Sequence, residues 1–203
     1  MSKFCLPDGY RENEFDPYTD TVENSENCQR ASYEFALSLA TKGCRYLDIG
    51  CGIGLKTRSF RKYTRKIHGV DFLDDHIKSC REFDFGRWMT YDLDSNASFP
   101  FRGPFDLITC IDVIEHVRDP DRLISLLLDL KGDHGKVVLT TPDRKAVRPQ
   151  AHIGPPPNPH HVREWESSEF VCYLQSRGVI VANSFHVKGH AESDLESTFL
   201  VVI

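Results

Sequence analysis

Apolar and polar positions in this chain fall into blocks whose period switches between that of a strand and that of a helix. Residues 1–24 have no period and carry Pro7, Gly9 and Pro17, so they read as an irregular lead-in. From Asn24 or Ser25, both suited to cap free N–H groups, a helix is predicted as far as Lys42. Tyr33, Ala36, Leu37 and Ala40 share one of its faces, and Gly43 stops it. Apolar runs at 45–49, 66–70, 88–91, 105–111 and 136–141 predict five strands, the fourth almost wholly apolar as a buried parallel strand should be. Helices are predicted between them at 55–63, with Phe60 and Tyr63 inward, and at 75–82. A third starts at Asp119-Pro120, where Asp caps and Pro loses no bond, and ends near Gly132.

Residues 142–159 are rich in proline, with GPPPNP at their centre, and are too long for a tight connection, so they read as a functional loop or lid. A helix at 168–177 closed by Gly178 follows, then two β-like runs at 179–187 and 198–203. The alternation predicts an α/β fold: a doubly wound, Rossmann-like, mostly parallel seven-stranded sheet ending in an antiparallel hairpin. The 203 residues suit one domain, 1–203, with 1–43 as lead-in and a helix capping the ligand end.

Composition narrows the function classes. Lys and Arg number 25 against 30 Asp and Glu, a net charge of -5, which argues against affinity drawn mainly from nucleic-acid phosphates. The longest greasy stretch, 123–130, is short and broken by Ser125 and Asp129, so no membrane span is expected. The N-terminus turns acidic at once, without a signal-like core. The 7 cysteines are scattered and form no CxxC, as reduced thiols in a cytoplasmic protein would be.

The first strand runs into Asp48-Ile49-Gly50-Cys51-Gly52-Ile53-Gly54. Glycines at such a strand-to-helix turn let the chain bend sharply and let a ligand approach the main chain. A dinucleotide fingerprint would need glycine where this chain has Leu55, so an NAD-linked oxidoreductase is disfavoured. The block LDIGCGIG resembles the first motif of class I S-adenosylmethionine (SAM)-dependent methyltransferases, and the resemblance continues from about residue 30 to the end. It implies SAM as cofactor. Asp48 would order the turn, and Gly50, Gly52 and Gly54, with Cys51 as a small buried neighbour, would make room for the methionine portion. Asp71, closing strand two in HGVDF, would take the ribose hydroxyls, and Asp92-Leu93 the adenine edge. Phe72 and Ile111 would sandwich the ring. Arg30 has two readings, a partner for the methionine carboxylate or a structural salt bridge.

Two clusters are candidates for the chemistry. Asp112, Glu115 and His116 stand at i, i+3 and i+4, so a helical turn would gather them at the crevice mouth. The second cluster is Asn158-Pro159-His160-His161-Val162-Arg163-Glu164-Trp165, directly after the lid. Family members acting on small molecules carry a similar EHV and HVRE(W/F). The pattern also resembles small-RNA 3′-terminal 2′-O-methyltransferases, in which Asp112, Glu115, His116 and His161 would correspond to divalent-metal ligands. Against a role in chemistry, Glu115 can cap a helix and His161 can tie the loop to the sheet. Trp165 reads as core. The expectation adopted is a SAM-dependent methyltransferase acting on a small or medium-sized metabolite at a hydroxyl, with His161, His116 and Glu115 catalytic and no metal. The alternatives are the metal-dependent RNA enzyme and a non-catalytic SAM-binding partner subunit.

Overall fold

The computed structural model describes residues 3–148 and 153–203. Seven strands form one sheet in the order β3-β2-β1-β4-β5-β7-β6. The strands are β1 (Tyr46–Ile49), β2 (Ile67–Asp71), β3 (Arg87–Thr90), β4 (Phe105–Ile111), β5 (Lys131–Pro142), β6 (Asn183–Val187) and β7 (Thr198–Val202). β1 to β5 pair in parallel, and β7 returns antiparallel between β5 and β6. The helices are α1 (Val22–Asn27), α2 (Arg30–Leu39), α3 (Asp74–Arg81), α4 (Pro120–Leu130), α5 (Arg144–Val147) and α6 (Ser167–Ser176). The expected doubly wound sheet with its antiparallel C-terminal pair is therefore present. Its strand order reverses between β1 and β4, so the crevice beyond their carboxyl ends is where such a sheet takes a ligand.

The central strands are apolar on both faces because both are covered. Leu47, Ile49 and Ile108 pack on one side with α4 and α6. Tyr46, Leu107 and Val138 pack on the other with α2 and α3. Trp165 is fully buried and stacks on Tyr173 at 5.6 Å, a core residue as expected.

Several local expectations give way to packing. The helix predicted from Asn24 or Ser25 to Lys42 is two helices. Thr21 caps the first, accepting Asn24 N–H at 3.1 Å, and the second ends at Leu39. The break falls at Gln29, whose φ of 63° is left-handed and whose N–H donates to Gly189 O at 2.8 Å. The sheet end thus captures the main chain in place of a helical bond. Residues 57–62 form a 3-10 turn rather than an α-helix. Phe60 points inward, but Tyr63, predicted inward, is 36% exposed. Strand β5 begins earlier than the pattern indicated, at Lys131, across a register shift opposite Phe105 and Leu107. Of the run at 179–187 only the second half is strand, and Ile180 is 83% exposed. The lid segment opens with the short helix α5. Its residues 149–152 lie outside the described residues.

The lead-in has no regular structure but is fastened along its length. Trp165 donates its indole N–H to Phe4 O (2.9 Å), and Glu164 its N–H to Tyr10 OH (2.8 Å). The Asn13 amide donates to the carbonyls of Pro156, Asn158 and His161 at 2.9, 3.1 and 3.1 Å. Residues 10–20 are thereby laid as a strap across the crevice.

Candidate active site

A cavity of about 610 Å³ opens at the switch point between β1 and β4. Its floor is the glycine turn. Gly50 and Cys51 both donate to Val70 O, at 2.9 and 3.0 Å, which folds the turn back onto β2. Gly50 has φ 75°, and a Cβ there would stand 2.3 Å from Val113 Cγ2. Gly52 has φ 52°, and its Cβ would stand 2.4 Å from the Asp20 carboxylate. Side chains at either position would close the approach a ligand needs.

Eight of the ten expected cofactor residues line this cavity: Gly50, Cys51, Gly52, Asp71, Phe72, Asp92, Leu93 and Ile111. Asp48 and Gly54 stand behind the wall. Gly54 lies against Cys80 and Phe83. Asp48 is fully buried, and three hydroxyls hold its carboxylate: Tyr33 (3.1 Å to each oxygen), Thr109 (2.7 Å) and Thr57. Burial pushes it up and the hydroxyl bonds pull it back, to about 6. Its Thr57 bond fixes the 3-10 turn that follows the glycines. Asp71 accepts Gly52 N–H at 2.9 Å, Leu73 N–H at 3.0 Å and His76 Nδ1–H at 2.8 Å, while His76 Nε2 accepts Asp20 N–H at 3.0 Å. The strap is tied to the glycine turn through that imidazole. Burial also pushes the Cys51 thiol well above its ordinary value, so it acts as wall.

Of the two readings of Arg30, the salt bridge is the one present. Arg30 is exposed, pairs with Glu34 at 2.9 Å and does not line the cavity. Lys56, which the sequence reading passed over, does line it. Its position just after the glycines was the available signal.

The far end of the cavity gathers Asp112, Glu115, His116 and His161. The expected helical turn is absent. Asp112 takes φ 50°, held by Thr140 Oγ1, and residues 114–116 form a turn. The two sequence clusters meet because Glu115 O accepts N–H groups from Val162 (2.8 Å) and Arg163 (3.3 Å). The buried Arg163 guanidinium meanwhile donates to Val117 O (2.6 Å) and Arg118 O (3.0 Å). Arg163, unassigned in the sequence, clamps the His161 segment onto the turn after β4.

The protonation pattern follows from the partners. His116 Nδ1 lies 2.7 Å from His160 O, so it carries the proton and leaves Nε2 as an acceptor. Burial, then the neighbouring His161, lowers His116 to about 4. His161 Nδ1 lies 2.7 Å from Glu164 Oε1, and Glu164 Oε2 binds Arg148. Burial pushes Glu164 up, yet the His161 N–H and then the Arg148 charge bring it below its ordinary value. The Asn158 amide, oriented by His160 N–H on its oxygen (3.1 Å), donates to His161 Nε2 at 3.0 Å. Glu115 caps no helix. It is fully buried, and neither carboxylate oxygen has a hydrogen-bond partner among the described residues. Burial, then Asp112, pushes it well above the ordinary carboxylate range.

The residues present fit both groups that the resemblances implied. For SAM, the glycine turn gives main-chain approach, the acids of the wall suit a sulfonium cation, and Phe72, Leu93 and Ile111 give an apolar slot. For a divalent cation, ligand atoms of Glu115, His116 and His161 lie within 4.8 Å of one another, and the orphaned Glu115 carboxylate lacks another partner. Among the described residues no helix is long and apolar enough to cross a membrane.

Residues 18–179 match the methyltransferase-domain family. The ubiquinone biosynthesis O-methyltransferase of Xanthomonas axonopodis pv. citri (strain 306) is 28% identical over 154 residues, covering 70% of this chain and 64% of that protein. The matched chain thus spans less than two thirds of that relative's length. A SAM-dependent methyltransferase from Aquifex aeolicus has the same fold, with a TM-score of 0.66 at 15% identity over 90% of this chain and 93% of that one. So does a Haloferax volcanii complex of the Trm112 methyltransferase activator with a methyltransferase, at 0.69 and 15% over 89% and 90%. With the glycine turn, the acid closing β2 and a match over most of its length, the chain belongs to the class I SAM-dependent methyltransferases.

Proposed function

We propose that this methyltransferase moves the SAM methyl group to a hydroxyl of a small or medium-sized metabolite. The observation that carries this reading is the Glu164–His161 dyad on the cavity wall, with Nε2 of His161 held by the Asn158 amide alone among the described residues. When bound, SAM supplies a methyl already activated by the sulfonium, so the chain need only align the acceptor and hold its proton.

In this reading Asp71 takes the ribose hydroxyls, Asp92 and Leu93 the adenine edge, and Lys56 the methionine carboxylate. Glu164 keeps the His161 proton on Nδ1, so Nε2 is free to accept the acceptor's proton once the hydroxyl displaces the Asn158 amide. His116, lowered to about 4, and Glu115, pushed well above the ordinary carboxylate range by burial, stand beside it with their neutral forms favoured. That pair suits a second oxygen adjacent to the reacting hydroxyl, as in a vicinal diol or a catechol. The curated relatives named for ubiquinone biosynthesis O-methylation support an oxygen acceptor.

The test is methyl transfer from labelled SAM to a dihydroxybenzoate panel, run with and without chelator. His161→Gln should lower kcat by about 10²–10⁴-fold while SAM affinity stays within about threefold. Undiminished turnover in that variant would remove His161 as the base. A second reading is favoured by the unpartnered Glu115: Glu115, His116 and His161 hold a divalent cation that binds the acceptor's two oxygens, as in an RNA 3′-terminal ribose. Loss of activity with chelator and its return with Mg²⁺ would select it, and an RNA end methylated in preference to the phenols would give the acceptor.

A further inference from the structure

The five parallel strands are entered and left through opposite charges. Across the sheet the N-terminal ends carry Arg87 (β3), Lys66 (β2), Arg45 (β1), Arg102 (β4) and Lys131 (β5), with Lys136 further along β5 opposite Leu107. Asp71, Asp92, Asp112 and Asp143 lie at or just beyond the carboxyl ends of β2 to β5, the crevice side. The cationic end is reinforced by the end of the 3-10 turn and the loop into β2, where residues 61–66 hold four cations and no acid in a chain of net charge -5. Lys62, Arg65 and Lys66 there are exposed and, with Lys42, Arg61 and Tyr63, surround a shallow hollow of about 310 Å³.

Some of this charge is already engaged. Arg61 pairs with Asp84 at 2.7 Å. Arg45 donates to Arg102 O and Pro104 O and lies over the Phe105 ring, with its own N–H on Asp106. Asp133, beside the start of β5, is a further exposed acid. By contrast Lys62, Arg65, Lys66, Arg87, Arg102 and Lys136 are exposed and make no ion pair among the described residues.

We propose that this strand-entry face, opposite the cofactor crevice, docks the enzyme on an anionic lipid bilayer. The shape favours a flat partner, because the face is the end of a sheet. Five strands about 4.8 Å apart spread its cations over roughly 20 Å without a groove, and its exposed ring is Tyr63 alone among the described residues of the hollow. A single-stranded nucleic acid calls for stacking platforms, and a long polyanion would run on towards acidic surface. A bilayer touches one end only. The acidic crevice stands about 23 Å away along the seven residues of β4, more than two screening lengths of about 10 Å at 0.1 M salt. Lysines and arginines near an anionic leaflet each add to the attraction, and salt weakens it. Docked this way, the enzyme keeps its cavity facing the aqueous side.

The experiment is co-sedimentation of the full chain with phosphatidylcholine vesicles containing or lacking phosphatidylglycerol, at low and high salt. Binding should appear on the phosphatidylglycerol vesicles, fall with salt, and drop at least ~10-fold in the triple variant Lys62→Glu, Arg65→Glu, Lys66→Glu. SAM affinity should stay as in the wild type, because none of the three lines the crevice. Equal binding to neutral vesicles would overturn the proposal. So would a triple variant that sediments like the wild type, or an RNA oligonucleotide bound more tightly than the anionic vesicles through the same three residues.

Discussion

Among the buried carboxyl groups of the described residues, Asp48 and Glu115 are both wholly enclosed, and their surroundings could hardly differ more. Asp48, under the glycine turn, is held by the hydroxyls of Tyr33, Thr57 and Thr109. Glu115, at the far end of the cavity, has no hydrogen-bond partner for either oxygen among the described residues. Burying a carboxyl costs free energy that hydrogen bonds can offset. At Asp48 the offset comes from within the chain, so the group is part of the scaffold and joins α2, β1, β4 and the 3-10 turn. At Glu115 no hydroxyl closes on the carboxylate in the same way among the described residues, and burial, then Asp112, pushes the group well above the ordinary carboxylate range.

The comparison is most easily broken at Asp48. Asp48→Ala strips three buried hydroxyls of their acceptor and opens a cavity. It should cost about 3–5 kcal/mol, a large part of an ordinary domain's stability, read as a lowered midpoint in urea. Glu115→Gln should leave that midpoint within about 1 kcal/mol of wild type, since burial already disfavours its charged form, while turnover falls about 100-fold. If both variants unfold alike, Glu115 is scaffold too.

Next in size is a pH effect. His116 sits at about 4 in the folded chain against about 6.5 for a free imidazole, so between those values the unfolded chain holds more protons. Stability from this group is therefore present above about 6.5 and lost as pH falls towards 4, by about 2–3 kcal/mol. Asp48 runs the other way. Its value is raised to about 6, so its share is lost as pH rises from about 4 to 6. His116→Gln should remove the first dependence and keep the second. Urea titrations with chelator at pH 7 and pH 4.5 should show wild type losing ground to the variant at the lower pH. Parallel curves would mean His116 is solvated.

The smallest effect is expected at Lys56. Lys56→Met should raise the SAM dissociation constant about 10-fold with kcat little changed, since the charge serves ground-state binding. An unchanged constant would leave the methionine carboxylate without its assigned partner.

The same division governs what could be read from the sequence. The strands and the glycine turn were legible because local chemistry decides them: apolar runs, Asp119-Pro120 as a helix start, glycines where φ is positive. The break at Gln29 was not, because Gly189, 160 residues on, captures its N–H. The 3-10 form of residues 57–62 follows from Asp48 gripping Thr57, which no periodicity reports. At the far end of the cavity the residue types were legible as EH and HVRE, but their meeting was not. It depends on Arg163 reaching the carbonyls of Val117 and Arg118, and on Asn13, from a stretch without pattern, bonding three carbonyls of the loop. Long-range bonds from unremarkable residues built the part of the site that sequence could only suggest.

The most direct test is calorimetric titration of SAM into three proteins side by side: wild type, Asp71→Ala and Glu115→Gln. If the cavity is divided as described, Asp71→Ala, shown folded by its thermal melt, should lose detectable binding, and Glu115→Gln should bind within about threefold of wild type. Unchanged affinity in Asp71→Ala, or lost affinity in Glu115→Gln, would contradict the assignment of one end to the cofactor and the other to the acceptor.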